Sequence, residues 1–451
     1  MKKIKKYLVN FGVNEAVFYT VLGRLLQGIG GLATVVLVSQ FLSKNEQGYY
    51  YTFSSILAIQ IFFELGLSGI IVQFAAHEMA HLKFSADSMS FIGNEKNLSR
   101  LSSLFKFTLK WFSYMSLILI IILCVFGFFF FSYFGGGNDY INWKSPWIIV
   151  SLATSFSLIL NAILSFFEGV GKIKDIAKLR LFQILTQLII LSVGFTFGLK
   201  LFAFPVANLL ALLVVFVCII CSSKLQFLKR LWKIPNTYKI NYKKEIFPLQ
   251  WKISLSWISG YFIYQIFNPL IFIFEGPVSA GRMGMTLAVI NGILLISLSW
   301  VNTRIPVFSN LIAKNEYEEL DQLFNRTLLQ STIISIVGIF SFVVAFFCLQ
   351  HFDIEYYRRF LPLSLIIILS FGYVINQIIS SLAIYLRSHK KEPLLQYSIV
   401  SAILICSSTL FMGKYFGVNG IVYGFTIIIA IICLPWSLYI FLNKKKEWHS
   451  K

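Results

Sequence analysis

Arg24 lies inside an otherwise apolar run, where a charge costs several kcal/mol unless it faces a protein interior or a watery cavity. Thr20, Gly23, Arg24, Gln27, Gly31 and Thr34 recur at helical spacing and form one polar stripe around it. In the next apolar run Gln60, Glu64 and Ser68 repeat every fourth residue, again on one face. Counted from the nearer ends at 1.5 Å per residue, Arg24 lies roughly 14 Å deep and Glu64 roughly 16 Å deep, so the two could meet. Two chemistries fit: a buried ion pair that neutralises both charges, or a polar stripe lining a solvated cavity for an anionic headgroup. A third polar face runs through Ser254, Trp257, Tyr261, Tyr264, Gln265 and Asn268. Aromatic rings beside amides suit sugar faces and hydroxyls, and they serve equally well as glue between helices.

His77-Glu78-Met79-Ala80-His81 is a literal H-E-x-x-H, which places two imidazoles one helical turn apart with a carboxylate base between them. Zinc proteolysis would need a third ligand. No Asp-containing partner motif appears in a later apolar run, and the motif leads into a polar loop with Lys83 and Asp87. There is no Asp-x-Asp pair of the glycosyltransferase kind and no Gly-Lys-Ser/Thr phosphate loop. The sequence therefore offers no catalytic residue, no metal site and no cofactor site beyond that motif.

The elements that must position these residues are membrane spans. With 57% hydrophobic and 13% charged residues and a mean hydropathy of +0.76, a soluble chain of 451 residues would leave too much apolar surface uncovered. Twelve apolar segments fall at 15–38, 48–75, 111–134, 147–167, 181–197, 202–222, 253–274, 283–303, 327–349, 360–384, 394–412 and 419–441, each near the ~20 residues a spanning helix needs. Arg24 is the one basic residue inside them. If Lys2, Lys3, Lys5 and Lys6 stay in the cytoplasm, links on that side carry 31 of the 39 Lys and Arg and the opposite links carry 7. This asymmetry predicts cytoplasmic N and C termini. The net charge of +20 then reads as anchoring to an anionic membrane face and argues against nucleic acid as partner. The first run lacks a cleavage site and is read as a retained helix. All six Cys fall within spans, so no disulfide framework is expected, and Cys218-x-x-Cys221 is read as packing.

The two halves resemble each other. Leu101, Leu104, Phe105, Thr108 and Leu109 recur as Leu320, Leu323, Phe324, Thr327 and Leu328 at an offset of 219, and the same offset carries Phe197-Gly198 onto Phe416-Gly417. Glu46-Gln47-Gly48 sits opposite Ser279-Ala280-Gly281 at an offset of 233. Two parallel repeats of six helices follow, a transporter architecture with the binding site between the halves. The expected division is 1–222 as one lobe, 223–252 as a basic cytoplasmic linker, partly amphipathic helix, and 253–451 as the second lobe. The fold expected is all-α integral membrane: twelve transmembrane helices in two pseudo-symmetric six-helix lobes around a central cavity. The longest outer link, around Gly135-Gly136-Gly137-Asn138-Asp139, is too short to hold a domain.

Gly23-Arg24-Leu25-Leu26-Gln27, the stretch from Phe41 to Tyr50 around Glu46-Gln47-Gly48, Phe62-Phe63-Glu64-Leu65-Gly66 and Phe167-Glu168-Gly169-Val170-Gly171-Lys172 resemble the Wzx-type oligosaccharide flippases of the MOP superfamily. The resemblance implies a two-lobed bundle in the bacterial plasma (inner) membrane, serving O-antigen or related polysaccharide biosynthesis. It would flip an undecaprenyl-diphosphate-linked repeat unit from the cytoplasmic to the outer leaflet by alternating access. Arg24 matches the basic residue of the first helix that meets the lipid headgroup in such proteins. A coupling ion, H+ or Na+, membrane lipids, and the polymerase and chain-length machinery of the pathway are the partners expected alongside the lipid-linked oligosaccharide. The expected substrate site is Arg24, Gln27, Glu64, Tyr261, Gln265 and Asn268. Three rivals stand beside this reading: a multidrug or toxin antiporter of the same superfamily, which calls for more acidic residues in the spans; an O-antigen polymerase or ligase, which calls for a large outer loop; and an intramembrane zinc protease using His77, Glu78 and His81.

Overall fold

The computed structural model describes residues 15–84, 91–135, 141–389 and 391–449. Lys2, Lys3, Lys5 and Lys6, Asp87 and the Gly136-Gly137-Asn138-Asp139 link lie outside them. Continuous apolar sequence gives continuous helix, because in hydrocarbon each backbone amide must be satisfied within its own segment. The helices are α1 (Glu15–Phe41), α2 (Lys44–Leu57), α3 (Ile61–Glu64), α4 (Leu67–Met79), α5 (Glu95–Phe134), α6 (Lys144–Gly169), α7 (Ile173–Thr196), α8 (Ala203–Ile220), α9 (Ser223–Lys233), α10 (Phe247–Tyr264), α11 (Phe267–Glu275), α12 (Pro277–Asn302), α13 (Ile305–Lys314), α14 (Tyr317–His351), α15 (Leu363–Ser388), α16 (Leu395–Ile427) and α17 (Leu434–His449). One element breaks the all-helical expectation: β1 (Leu82–Phe84) and β2 (Phe91–Gly93) pair antiparallel between α4 and α5.

Ten helices among the described residues are long and apolar enough to cross a membrane. Two of the twelve sequence segments are missing from that number. The α2 to α4 run is a single span bent by about 40°. The 55-residue run Leu395–His449 is two spans, since Gly417 leaves the helical region at φ 59° and ψ −143°. A Cβ built on Gly424 would meet Ser408, and one on Gly420 would meet the Met412 carbonyl, so the chain doubles back on itself around Gly417. Glu275 fastens the reversal, its carboxylate accepting from Val418 N at 2.7 Å. The equivalent residue under the repeat, Gly198, also has positive φ, 75°, in the turn between α7 and α8. Repeat-related positions also match in burial: Leu101 with Leu320, Phe105 with Phe324 and Thr108 with Thr327 are all essentially inaccessible.

The described residues form two compact units. The first takes in residues up to Gly23, Leu57–Tyr133 and Asn138–Ile258; the second, Arg24–Ile56, Phe134–Gly137 and Ser259 onward. In the first, α6 packs on α4 and α8, and α7 on α8. Residues 231–240 of the basic stretch lie along the start of α5. There the Ser102 hydroxyl donates to Leu231 O (2.9 Å), Ser99 to Pro235 O (2.9 Å) and Lys106 Nζ to Ile234 O (2.7 Å). In the second unit α12 packs on α11 and α14, and α15 on α14 and α16. Arg24–Ile56, the second part of α1 with most of α2, therefore packs with the later spans although it is encoded among the earlier ones.

Candidate functional site

Arg24 opens the second unit's share of α1, one residue after the chain leaves the first unit at Gly23. Its guanidinium is half-buried and makes no hydrogen bond or ion pair among the described residues. One turn on, Gly28 lies against Ile296 and the Gly292 backbone of α12, where an added Cβ would press on the Ile296 side chain at 3.0 Å. Gln27 is exposed. An intramembrane cation without a protein partner is a standing demand for an anion or for water.

Glu64 belongs to the first unit and ends α3, where the helix breaks. Leu65 and Gly66 both take left-handed backbone, with φ 51° and 64°. The freed Leu65 carbonyl accepts from the Ser254 hydroxyl at 2.9 Å. Glu64 is half-buried with no hydrogen bond or ion pair among the described residues, and Ser68 Oγ is buried without a partner. Gln60 accepts from Ser157 at 3.4 Å. Within the second unit, Tyr261 and Gln265 are half-buried on either side of Tyr264, whose hydroxyl donates to Asn376 at 2.8 Å. Gln265 and Ile266 interrupt the helix between α10 and α11, so this span is broken too. Asn268 is buried and donates to Ser55 of α2 at 3.1 Å. Two of the sequence candidates, Glu64 and Gln265, thus stand where a helix is interrupted, and the backbone there stays bonded: Leu65 O to Ser254, and Gln265 N to Tyr261 O at 2.9 Å. No sequence signal short of the Leu65-Gly66 pair marked these breaks.

The H-E-x-x-H residues are arranged for a different purpose from zinc chemistry. Glu78, 2% exposed at its side chain, accepts from Arg100 Nε at 2.8 Å and from Asn97 Nδ2 at 2.7 Å, while His77 is 77% exposed and His81 is also on the surface. Arg100 in turn bonds Glu245 at 2.6 Å. The carboxylate that a hydrolase would need as a free base is committed to an arginine, and the two imidazoles point into solvent. Other motif residues have structural roles. Ser43 and Glu46 cap α2 reciprocally, Ser43 N donating to the carboxylate at 2.8 Å and Glu46 N to the hydroxyl at 3.2 Å. Glu168 pairs with Arg180 at 3.0 Å.

Comparison with solved structures reaches nearly the whole chain. An inward-facing multidrug-resistance MATE family transporter of the MOP superfamily superposes with a TM-score of 0.69 at 12% identity, covering 94% of this chain and 96% of that one. The two share one fold. A Vibrio cholerae MATE transporter gives a TM-score of 0.60 at 12% identity over 97% of both chains. The lipid II flippase MurJ, in an inward closed conformation, gives 0.58 at 15% identity over 96% of this chain and 90% of that one. No family model matches the sequence, and no curated protein matches it. At these identities the likeness establishes the fold alone.

Proposed function

We propose that this protein flips an undecaprenyl-diphosphate-linked oligosaccharide across the bacterial plasma membrane, its lobes alternating access to a site built on Arg24. The observation that carries the reading is the charge itself. Arg24 is the one basic residue within the twelve apolar segments, it lies on a polar stripe, and its guanidinium has no protein partner among the described residues. A planar guanidinium grips a diphosphate through paired, charge-assisted hydrogen bonds. Gln27, Tyr261 and Gln265, in the same unit as Arg24, extend the polar lining toward sugar hydroxyls. The polyprenyl tail would stay in lipid. The superfamily fold also houses multidrug transporters, for which an unpaired Glu64 would attract a cation; on that reading Glu64 and not Arg24 is the indispensable residue.

Export of lipid-linked glycan in cells lacking their own flippase separates the two. Losing a charge-assisted hydrogen-bond pair of about 1.5–3 kcal/mol should cut export ten- to a hundredfold in Arg24→Ala. Arg24→Lys, which keeps the charge and loses the fork, should be partly active, and Glu64→Gln should hurt less than Arg24→Ala. Normal glycan export by Arg24→Ala at normal membrane levels overturns the assignment. Cationic-dye tolerance that depends on Glu64 alone would establish the drug reading.

A further inference from the structure

Helix α9 has two faces with different surroundings. Phe227, Leu228 and Leu231 are buried, and Phe227 packs on Phe167 of α6 with ring centroids 5.8 Å apart. Gln226, Lys229, Arg230 and Lys233, at i, i+3, i+4 and i+7, are exposed along the opposite face. The last carbonyls of the helix are satisfied by Ser102, which donates to Leu231 O at 2.9 Å, and by Lys106, whose ammonium donates to Ile234 O at 2.7 Å. Lys106 also lies 5.8 Å from the Trp232 ring, which is 45% exposed where the two faces meet. These contacts leave Lys229 and Lys233 without an ion pair among the described residues. Residues 223–252 carry eight Lys and Arg and one carboxylate, Glu245, and that carboxylate is bonded to Arg100 at 2.6 Å. Outside the described residues, the sequence that the charge asymmetry places on the same side offers one acid, Asp87.

The connection to α8 fixes how deep this face lies. The span α8 ends at Ile220 and α9 begins at Ser223, capped by Ser222, whose hydroxyl accepts from Lys224 N at 3.3 Å. Three residues cover at most about 10 Å, so α9 starts in the headgroup layer that borders the hydrocarbon. At the far end of the strap Phe247 and Trp251, one turn apart on α10, are 50% and 42% exposed, and Lys252 lies 5.8 Å from the Trp251 ring. Exposed rings beside cations are the pattern of a membrane interface. We propose that the Lys229, Arg230 and Lys233 face of α9 binds the headgroups of anionic phospholipids, with Trp232 seated beside them. A lipid surface fits this face better than a soluble acidic partner, because the buried side holds α9 at headgroup depth and because rings and ammonium groups alternate along the strap.

A fluorophore on Gln226→Cys, in a full-length chain whose native cysteines are replaced, reads the lipids beside this face. In phosphatidylcholine nanodiscs, phosphatidylglycerol spin-labelled near the top of one acyl chain should quench it roughly threefold more than phosphatidylcholine carrying the same label. Raising salt from about 0.1 to about 1 M, which shortens the Debye length from about 10 to about 3 Å, should erase the preference. Changing Lys229, Arg230 and Lys233 together to Gln should also erase it, with melting in phosphatidylcholine alone unchanged because all three are exposed. Lys229→Arg plus Lys233→Arg, which keeps the charges, should retain it. The same fluorophore on Gln322→Cys, beside the exposed Glu318 and Glu319 of α14, should be quenched equally by both lipids. Equal quenching at residue 226, a preference that survives the triple change, or an equal preference at residue 322 would each overturn the proposal. Undecaprenyl diphosphate at the same mole fraction should leave the preference in place; if it abolishes it, the face takes the polyprenyl-linked phosphate and the phospholipid assignment is wrong.

Discussion

Glu78 shows how the surroundings of a residue decide what its motif can do. A buried carboxylate between Arg100 and Asn97 is neutralised in place, and removing it leaves Arg100 with only Glu245 to answer its charge. Breaking a buried pair from one side typically costs more than the pair contributes. Glu78→Ala should therefore lower stability by roughly 3 kcal/mol, read as an earlier thermal transition in detergent. His77 and His81 are on the surface, so changing both to Ala should stay within about 0.5 kcal/mol of the parent and leave export intact. Stoichiometric zinc in the purified parent that the double variant lacks would revive the protease reading. Spacing alone put two imidazoles and a carboxylate on one turn; only the partner contributed by α5, some twenty residues on, revealed that the carboxylate is taken.

At the scale of elements, the 223–252 stretch is a docked strap more than a free linker. Its far end is tied by Glu245, which accepts from Arg100 Nη2 at 2.6 Å and from Asn241 N at 2.8 Å. Arg100 is the larger cause that holds this carboxyl below its usual value, with the Asn241 amide adding to it. A depressed folded-state pKa stabilises the fold above the ordinary carboxylate value of about 4.3, and that contribution disappears as pH falls through the lowered value. The difference in melting temperature between parent and Glu245→Gln should accordingly hold steady from pH 8 to about pH 5 and shrink only below about pH 4. A difference that vanished between pH 7 and pH 6 would mean that Glu245 is not ionised against Arg100. The helices themselves were legible because hydrocarbon enforces them: runs of apolar residues can do little else than span. Breaks and reversals were not. Glu64-Leu65-Gly66 reads as helix by hydropathy, and the hairpin at Gly417 depends on Glu275, 143 residues away in the chain, to cap Val418 N. The β1–β2 hairpin sits in a polar link where periodicity carries no membrane signal.

For the whole molecule the question is which side is which. Charge asymmetry predicts that Lys244, in the basic stretch between α9 and α10, faces the cytoplasm, and that Asp353, in the link between α14 and α15, faces out. Arg24 also follows from it: the guanidinium lies about 14 Å from the inner end of α1, within reach of a diphosphate arriving from the cytoplasmic leaflet. Cysteines placed one at a time at Lys244 and Asp353, in a background without native cysteines, should divide cleanly. An impermeant thiol reagent added to intact cells should modify the Asp353→Cys protein and spare Lys244→Cys until the membrane is opened. The reverse pattern would keep all twelve spans and invert the chain, turning the proposed exporter into a protein that loads from outside. Both positions on one side would remove an odd number of spans between them. That outcome would contradict the three spans between them, Gln250–Glu275, Pro277–Lys314 and Tyr317–His351.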